Sequence, residues 1–317
     1  MGIASRPGGG VSLAFISHSD IGFHDNGWNH PEHVGRLRAI TRALRYHPDL
    51  YLALDHVEGR HATVDELALA HDRGYIERVR ELSAQGGGRF DADTIASEGT
   101  WIAATAAAGS VLEGVERALD GRNARSFAAV RPPGHHALPA QAMGFCIFGS
   151  VAVAAHHART LGARRVLIVD WDVHHGNGTQ ALVEQERDIH FVSMHQWPWY
   201  PGSGAADDRG PHGSVWNVPM PAGLAPETYR AALLGAVDAA TAGWTPDLVL
   251  ISAGFDSLAG DPLGGFTLEI DDITRLTRAV VDRAERWCGG RVVSALEGGY
   301  HPERLGAACI AHLEAMR

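Results

Sequence analysis

Asp170, Asp172 and His174 stand two residues apart in the stretch VLIVDWDVHHGNG, residues 166–178. If the stretch is a strand, side chains two apart share a face. These three would then point one way, with Trp171 and Val173 pointing the other. Two carboxylates and an imidazole converging at a buried strand end are costly unless a divalent cation or a dense hydrogen-bond network compensates them. A lone D-x-D or D-x-H pair is a common accident, but the full stretch behind a hydrophobic run reads as a site. Asp172 and His174 are therefore candidate metal ligands. Asp261, in the loop Gly260-Asp261-Pro262, is the best third. Two Asp and one His leave open coordination positions, as a catalytic site requires. The set suits Zn2+, and Fe2+ also fits. Asp256 reads as a residue that satisfies backbone donors in its loop.

His135-His136 follows a rigid Pro-Pro-Gly turn. Tandem histidines beside a metal can supply a general base for water and a general acid for a leaving group. Each needs a partner to fix its tautomer. Asp170 is placed to hold one and Asn177 the other. Tyr300 follows Gly298-Gly299, and a phenol there can donate to an oxyanion on a polarised carbonyl. His156-His157 falls in a helical stretch and reads as helix surface or satisfied core. His175 reads as a structural hydrogen-bonding residue.

These residues need a scaffold. Apolar runs over 11–16, 126–130, 166–170, 189–193, 215–218, 247–252 and 291–296 read as strands, with a further short one over 52–57. Helical periodicity marks 31–46, 73–81, 98–120, 149–160, 178–185, 226–241, 269–288 and 302–315. Thr63 with Glu66 three residues on reads as a capping box. Gly86-Gly87-Gly88 reads as a loop. Strands alternating with helices argue an α/β fold, a mainly parallel central sheet flanked by helices on both faces. Ligands bind outside the carboxyl ends of such strands. RPPGHH, DWDVHHGNG, SMHQWPWYPGSG, SAGFDSLAGDP and LEGGY all follow predicted strands, so they should meet on one rim.

No composition break interrupts residues 1–317, which read as one domain. The formal net charge of −10 disfavours nucleic-acid binding and suits a cationic substrate. The three cysteines are far apart, which fits a reducing compartment better than a disulfide framework. The opening MGIASRPGGG has no signal-peptide core, and no apolar run is long enough for a membrane span. The expectation is a cytoplasmic protein with no membrane partner.

Taken together, RPPGHHA (131–137), MGFC (143–146), DWDVHHGNGTQ (170–180), SMH with PGSG (193–204), SAGFDSLAGDP (252–262) and LEGGY (296–300) resemble the histone deacetylase family. RPPGHH and Asn177 resemble its class II branch and the bacterial deacetylase-like amidohydrolases. The HPE and RL elements at 30–37 are similar to the family's entry into its first helix. The resemblance implies an arginase/deacetylase-like fold and metal-dependent hydrolysis of an N-acetyl amide. It implies Asp172, His174 and Asp261 as zinc ligands. His136 becomes the general acid/base, and His135 its electrostatic partner beside Asp170. Tyr300 polarises the acetyl carbonyl. Phe145, with Gly144 before it, and Tyr200 line an acyl-lysine tunnel. Asp93 resembles a rim aspartate that grips the substrate backbone. Leu268 stands where polyamine-selective relatives are acidic. A structural K+ is implied at Asp170, Asp172, His174, Ser193 and Met194. Tyr200 departs from the usual phenylalanine, and Trp197 and Trp199 make its loop unusually aromatic.

The implied partner is an acetylated lysine in a protein or peptide, or an acetylated polyamine or other small amine. Two rival functions share the fold. A ureohydrolase would hold two manganese ions with more Asp and His ligands. A non-catalytic acyl-lysine binding module would keep the fold without turnover.

Overall fold

Short β-branched runs become strands wherever glycine or proline bounds them. The computed structural model describes residues 12–317. Its strands are β1 (Leu13–Ser17), β2 (Asp55–Glu58), β3 (Gly87–Arg89), β4 (Ile95–Ser97), β5 (Arg125–Ala128), β6 (Val166–Asp170), β7 (Ile189–Gln196), β8 (Val215–Met220), β9 (Leu248–Ala253) and β10 (Val292–Leu296). Eight of them form one sheet in the order β2-β1-β5-β10-β9-β6-β7-β8, and every pairing is parallel. The five loops singled out above follow β5, β10, β9, β6 and β7. Those are five consecutive neighbours in the sheet, so the loops do meet on one rim.

Helices cover both faces. They are α1 (Gly35–Arg45), α2 (Pro48–Ala53), α3 (Val64–Leu67), α4 (Arg73–Ala84), α5 (Thr100–Asp120), α6 (Ser150–Thr160), α7 (Asn177–Val183), α8 (Pro226–Ala240), α9 (Ile270–Cys288) and α10 (Pro302–Met316). The two-residue period of β6 divides its side chains between the layers. Leu167 and Val169 join the core under α1, α8, α9 and α10. Val166 and Ile168 join the one under α4, α5 and α6. Helix α9 shows why its sequence is helical. Ile273, Leu276, Val280 and Ala284 recur at three- and four-residue steps and are all buried. Glu269 and Asp272 form a capping box at its start, and Gly289 ends it at φ 62°. Truncating Leu276 to alanine in this core should cost about 2–5 kcal/mol.

Several expectations need correction. The strand expected over 52–57 begins later, as β2, because Pro48 opens the short helix α2 instead. The helix expected from 31 begins at Gly35. The glycine loop is not irregular: Gly87–Arg89 pairs antiparallel with Ile95–Ser97 in a small hairpin. Thr63 and Glu66 do form a capping box, although α3 is only one turn long. Val11 lies outside the described residues. No helix among those described is long and apolar enough to cross a membrane.

Candidate active site

Strand β6 stops at Asp170, so the pleat does not carry Asp172 and His174. Side-chain turns do. Asp170 Oδ1 accepts the N–H of Asp172 at 3.0 Å, and Asp172 Oδ1 accepts the N–H of His174 at 3.0 Å. Each carboxylate thus folds the chain two residues on, a standard use of aspartate. Trp171 and Val173 point into the core.

The tandem histidines sit on the loop after β5. Glu297, buried at the end of β10, accepts the N–H groups of Gly134 (2.7 Å) and His135 (3.1 Å). His135 Nδ1 donates to Asp170 Oδ2 at 3.0 Å. His136 Nδ1 donates to Asn177 Oδ1 at 2.8 Å, leaving Nε2 as its lone-pair nitrogen. Burial opposes charge on both rings. At His135 it is outweighed by Asp172 and Asp170, which raise the pKa well above the ordinary value. At His136 it is reinforced by His135 and His174, and the pKa falls well below it. Their surroundings thus push the two rings apart, His135 toward the charged form and His136 toward the neutral one. A side chain at Gly144 would meet the His136 ring at 2.4 Å, so only glycine allows this approach.

Acidic groups crowd beneath them. Asp172, His174 and Asp256 offer ligand atoms within 4.8 Å of one another. His174 Nδ1 lies 3.0 Å from Asp172 Oδ1 and 3.3 Å from Asp256 Oδ2. One imidazole proton cannot serve both. Asp256 Oδ1 accepts the N–H of Val173 at 2.9 Å, but Oδ2 has no hydrogen-bond partner. Burial, and then Asp172, push the Asp256 carboxyl up to about 7. Burial would lower the His174 pKa, but Asp172 and Asp256 raise it to about 10. Both directions describe a place short of positive charge. Asp261 borders this cluster, with its oxygens accepting from Leu263 N (3.0 Å) and Tyr300 N (2.7 Å). A carboxylate-rich set with one imidazole and an orphaned buried oxygen fits a divalent cation.

A cavity of about 200 Å³ opens onto this cluster, lined by Asp93, His136, Gly144, Phe145, His174, Trp199, Tyr200, Leu263 and Tyr300. Phe145 and Tyr300 meet edge to face at 5.8 Å, and Tyr200 stands edge-on to His136 at 5.1 Å. Phe145 holds a left-handed φ of 67°, a conformation disfavoured for a bulky residue. Thr94 Oγ1 secures it, accepting Phe145 N at 3.1 Å while donating to Asp93 Oδ1 at 3.1 Å. Burial above all raises the Tyr300 pKa well beyond its ordinary value, so the phenol keeps its proton.

One tunnel assignment fails. Leu268 is buried, and its backbone pairs with Ser257 and Ala259. It belongs to the core, and Leu263 lines the tunnel in its place. Sequence reasoning also missed the part of Glu297, the free oxygen of Asp256, and Thr94. It noted Glu32 and Arg36 only as elements of a motif. Arg131 clamps Glu32 with two bonds, at 2.9 and 2.8 Å, and Arg36 joins Glu32 at 3.2 Å. This wholly buried Arg–Glu–Arg set ties the loop before α1 to the loop after β5. His156 and His157 are satisfied outside the site, by Leu182 O (2.9 Å) and Glu116 (3.1 Å). His175 is held by Ser203 and Gln180, at 2.9 and 3.0 Å.

A histone deacetylase domain model matches residues 30–316. A histone deacetylase-like amidohydrolase of Pseudomonas aeruginosa is 39% identical over 81% of this chain and 70% of its own length. The human polyamine deacetylase HDAC10 is 37% identical over 93% of this chain and 46% of its own. Among solved structures, the HDA15 HD domain superposes with a TM-score of 0.92 at 36% identity, covering 96% of this chain and 88% of that one.

Proposed function

We propose a reaction for this chain from one premise: it belongs to the histone deacetylase family, whose domain is hydrolytic. The reaction is zinc-dependent removal of an acetyl group from the side-chain amine of lysine, in a protein or peptide, releasing acetate. The observation that carries it is the tunnel. It is walled by Phe145 and Tyr200, with His136, His174 and Tyr300 also on its lining.

Asp172, His174 and Asp261 would hold the ion, with Asp256 beside them. When bound, Zn2+ supplies Lewis acidity toward the acetyl oxygen and lowers the pKa of water. His136, neutral and with Nε2 free, takes the proton of the attacking water and returns it to the departing amine. Asn177 fixes the tautomer that makes this possible. His135 keeps a positive charge next to the reacting centre. Tyr300 donates to the oxygen that becomes negative in the tetrahedral state. Phe145 and Tyr200 flank the aliphatic stem, and Asp93 accepts from substrate amides at the rim. A structural K+ at Asp170, Asp172, His174, Ser193 and Met194 accompanies this reading. Asp170 and Ser193 are cross-strand partners, which supports it.

Leu263 supports lysine over polyamine, since it puts an apolar side chain where a free ammonium along the tunnel would need an acceptor. Acetylated polyamines form the second reading, supported by the net charge of −10 and the HDAC10 relative. The cytoplasm suits the three buried free cysteines. The test is a panel of acyl-lysine peptides and acetylated polyamines offered to zinc-loaded protein. Hydrolysis of the peptides is the expected result. Zinc binding with no cleavage of either class indicates a binding module, and two tightly held manganese ions per chain indicate a ureohydrolase.

A further inference from the structure

We infer that His18, Asp20 and His61 form a second metal site, separate from the active site and suited to a divalent transition ion such as Zn2+. His18 directly follows β1, Asp20 lies in the 3-10 turn Ser19–Phe23, and His61 follows β2. Strands β1 and β2 are adjacent and parallel, with Ser17 opposite Glu58, so the two loops emerge side by side. Each of the three residues offers a ligand atom within 4.8 Å of the others. His61 Nε2 is 3.0 Å from Asp20 Oδ2, and His18 Nδ1 is 3.7 Å from the same oxygen. Two ligands on one tetrahedral zinc ion, each about 2.0–2.1 Å from it, lie about 3.3 Å apart. The observed separations bracket that value.

His61 has a partner at each ring nitrogen: Thr105 Oγ1 at 2.9 Å from Nδ1 and Asp20 Oδ2 at 3.0 Å from Nε2. With Nδ1 donating to the Thr105 hydroxyl, Nε2 turns its lone pair to an ion shared with Asp20. A proton would satisfy this pair alone and needs no third ligand. His18 is that third ligand, with its ring 4.7 Å from His61's at 72°. Its other nitrogen, Nε2, lies 4.0 Å from Glu58 Oε1. That is beyond hydrogen-bond reach, so outer-shell support of the usual kind is present at His61 through Thr105, while Glu58 adds a nearby negative charge at His18. Binding costs the hydrogen bond that His18 Nδ1 now accepts from Asp20 N at 3.1 Å.

A second acidic cluster shows the contrast. Glu66, Glu116 and His157 also converge, but Arg60 fills that space, with contacts of 2.6 and 2.5 Å to the two carboxylates. Among the described residues no arginine or lysine pairs with Asp20 or Glu58. His61 and Asp20 are 42% and 28% exposed, which leaves room for water to complete the coordination. An ion here would clasp the loop after β1 to the loop after β2 and, through Thr105, to α5.

The test is zinc binding by equilibrium dialysis to the full chain, to His61→Ala and to Asp20→Asn. Wild type should retain one more zinc per chain than either variant, or hold the second equivalent at least about tenfold more tightly. A thermal readout separates this site from the active site. Zinc should raise the melting temperature of His174→Ala and not that of the His174→Ala/His61→Ala double variant. Asp20→Asn preserves the side chain's shape, and circular dichroism without metal checks its fold. Equal stoichiometry in all three proteins overturns the inference, as does uptake that needs millimolar zinc.

Discussion

His136 gives its Nδ1 proton to the Asn177 amide oxygen across 2.8 Å. Its neighbour His135 gives the same proton to a carboxylate, Asp170, at 3.0 Å. An amide oxygen orients an imidazole and stabilises its charge only a little, whereas a carboxylate adds a full opposite charge. Asn177→Asp should therefore raise the His136 pKa and protonate the base at higher pH. The acid limb of kcat/KM should move up by about one pH unit. A pH–rate profile checks this, and an acid limb that stays in place removes His136 as the base.

Tyr300 is held by the bond from its N–H to Asp261 and by Arg36, whose guanidinium carbon lies 4.9 Å from the ring centroid. Tyr300→Phe keeps the ring and deletes the donor. Turnover should fall by roughly 100- to 1,000-fold with KM little changed, since the bond strengthens only as the oxygen becomes negative. Steady-state kinetics on an acetyl-lysine peptide measure this. Unaltered kcat would take Tyr300 out of the chemistry.

Metal dependence has two parts. Dialysis against a chelator should abolish hydrolysis, and added zinc should restore it; activity in metal-free protein would sink the proposed reaction. Asp256→Asn keeps an oxygen for Val173 N while removing a charge beside His174. Zinc affinity, read by competition with a chromophoric chelator, should weaken about 10- to 100-fold. Unchanged affinity would return Asp256 to a purely structural part.

That example shows what the sequence made legible. The rim was readable because each loop follows an apolar run and parallel topology sends all such loops to one edge. Asp172 and His174 do come together, although carboxylate turns and not the strand pleat bring them there. Asp256 was half read: one oxygen serves a backbone donor, but that donor is Val173 in the loop after β6 and not in its own loop, and its other oxygen depends on a fold-wide approach to His174. Glu297 lies 162 residues from His135, whose N–H it accepts, and no local spacing reports such a pair. Leu268 was misplaced for Leu263 because an irregular loop has no period from which to count which side chain faces inward.

Acid stability tests the buried histidines. His312 is wholly buried between Thr277 Oγ1 (2.7 Å) and Ser294 Oγ (2.9 Å). Burial lowers its pKa from 6.5 to about 3. The fold thus binds its proton less readily than the unfolded chain does. This contribution is complete above pH 6.5 and is lost as pH falls from there toward about 3. Urea midpoints should drop between pH 7 and pH 5 in wild type and drop less in His312→Asn. Parallel declines would assign the acid sensitivity to other groups.

Leu263 offers the sharpest control of substrate choice. It lines the tunnel together with Trp199 and Tyr200, and Trp199 Nε1 donates to its carbonyl at 2.9 Å. Leu263→Glu would place a carboxylate along a partly dehydrated channel, where a cationic amine gains from it and a neutral peptide stem does not. Dehydrating the new charge has its own cost, so the variant should lose activity on acetyl-lysine peptides by about tenfold. On acetylated polyamines it should gain, moving the ratio of the two kcat/KM values by about 100-fold. The same panel of substrates measures it. If the ratio does not move, the tunnel wall at Leu263 does not select the substrate, and recognition must lie at the rim with Asp93.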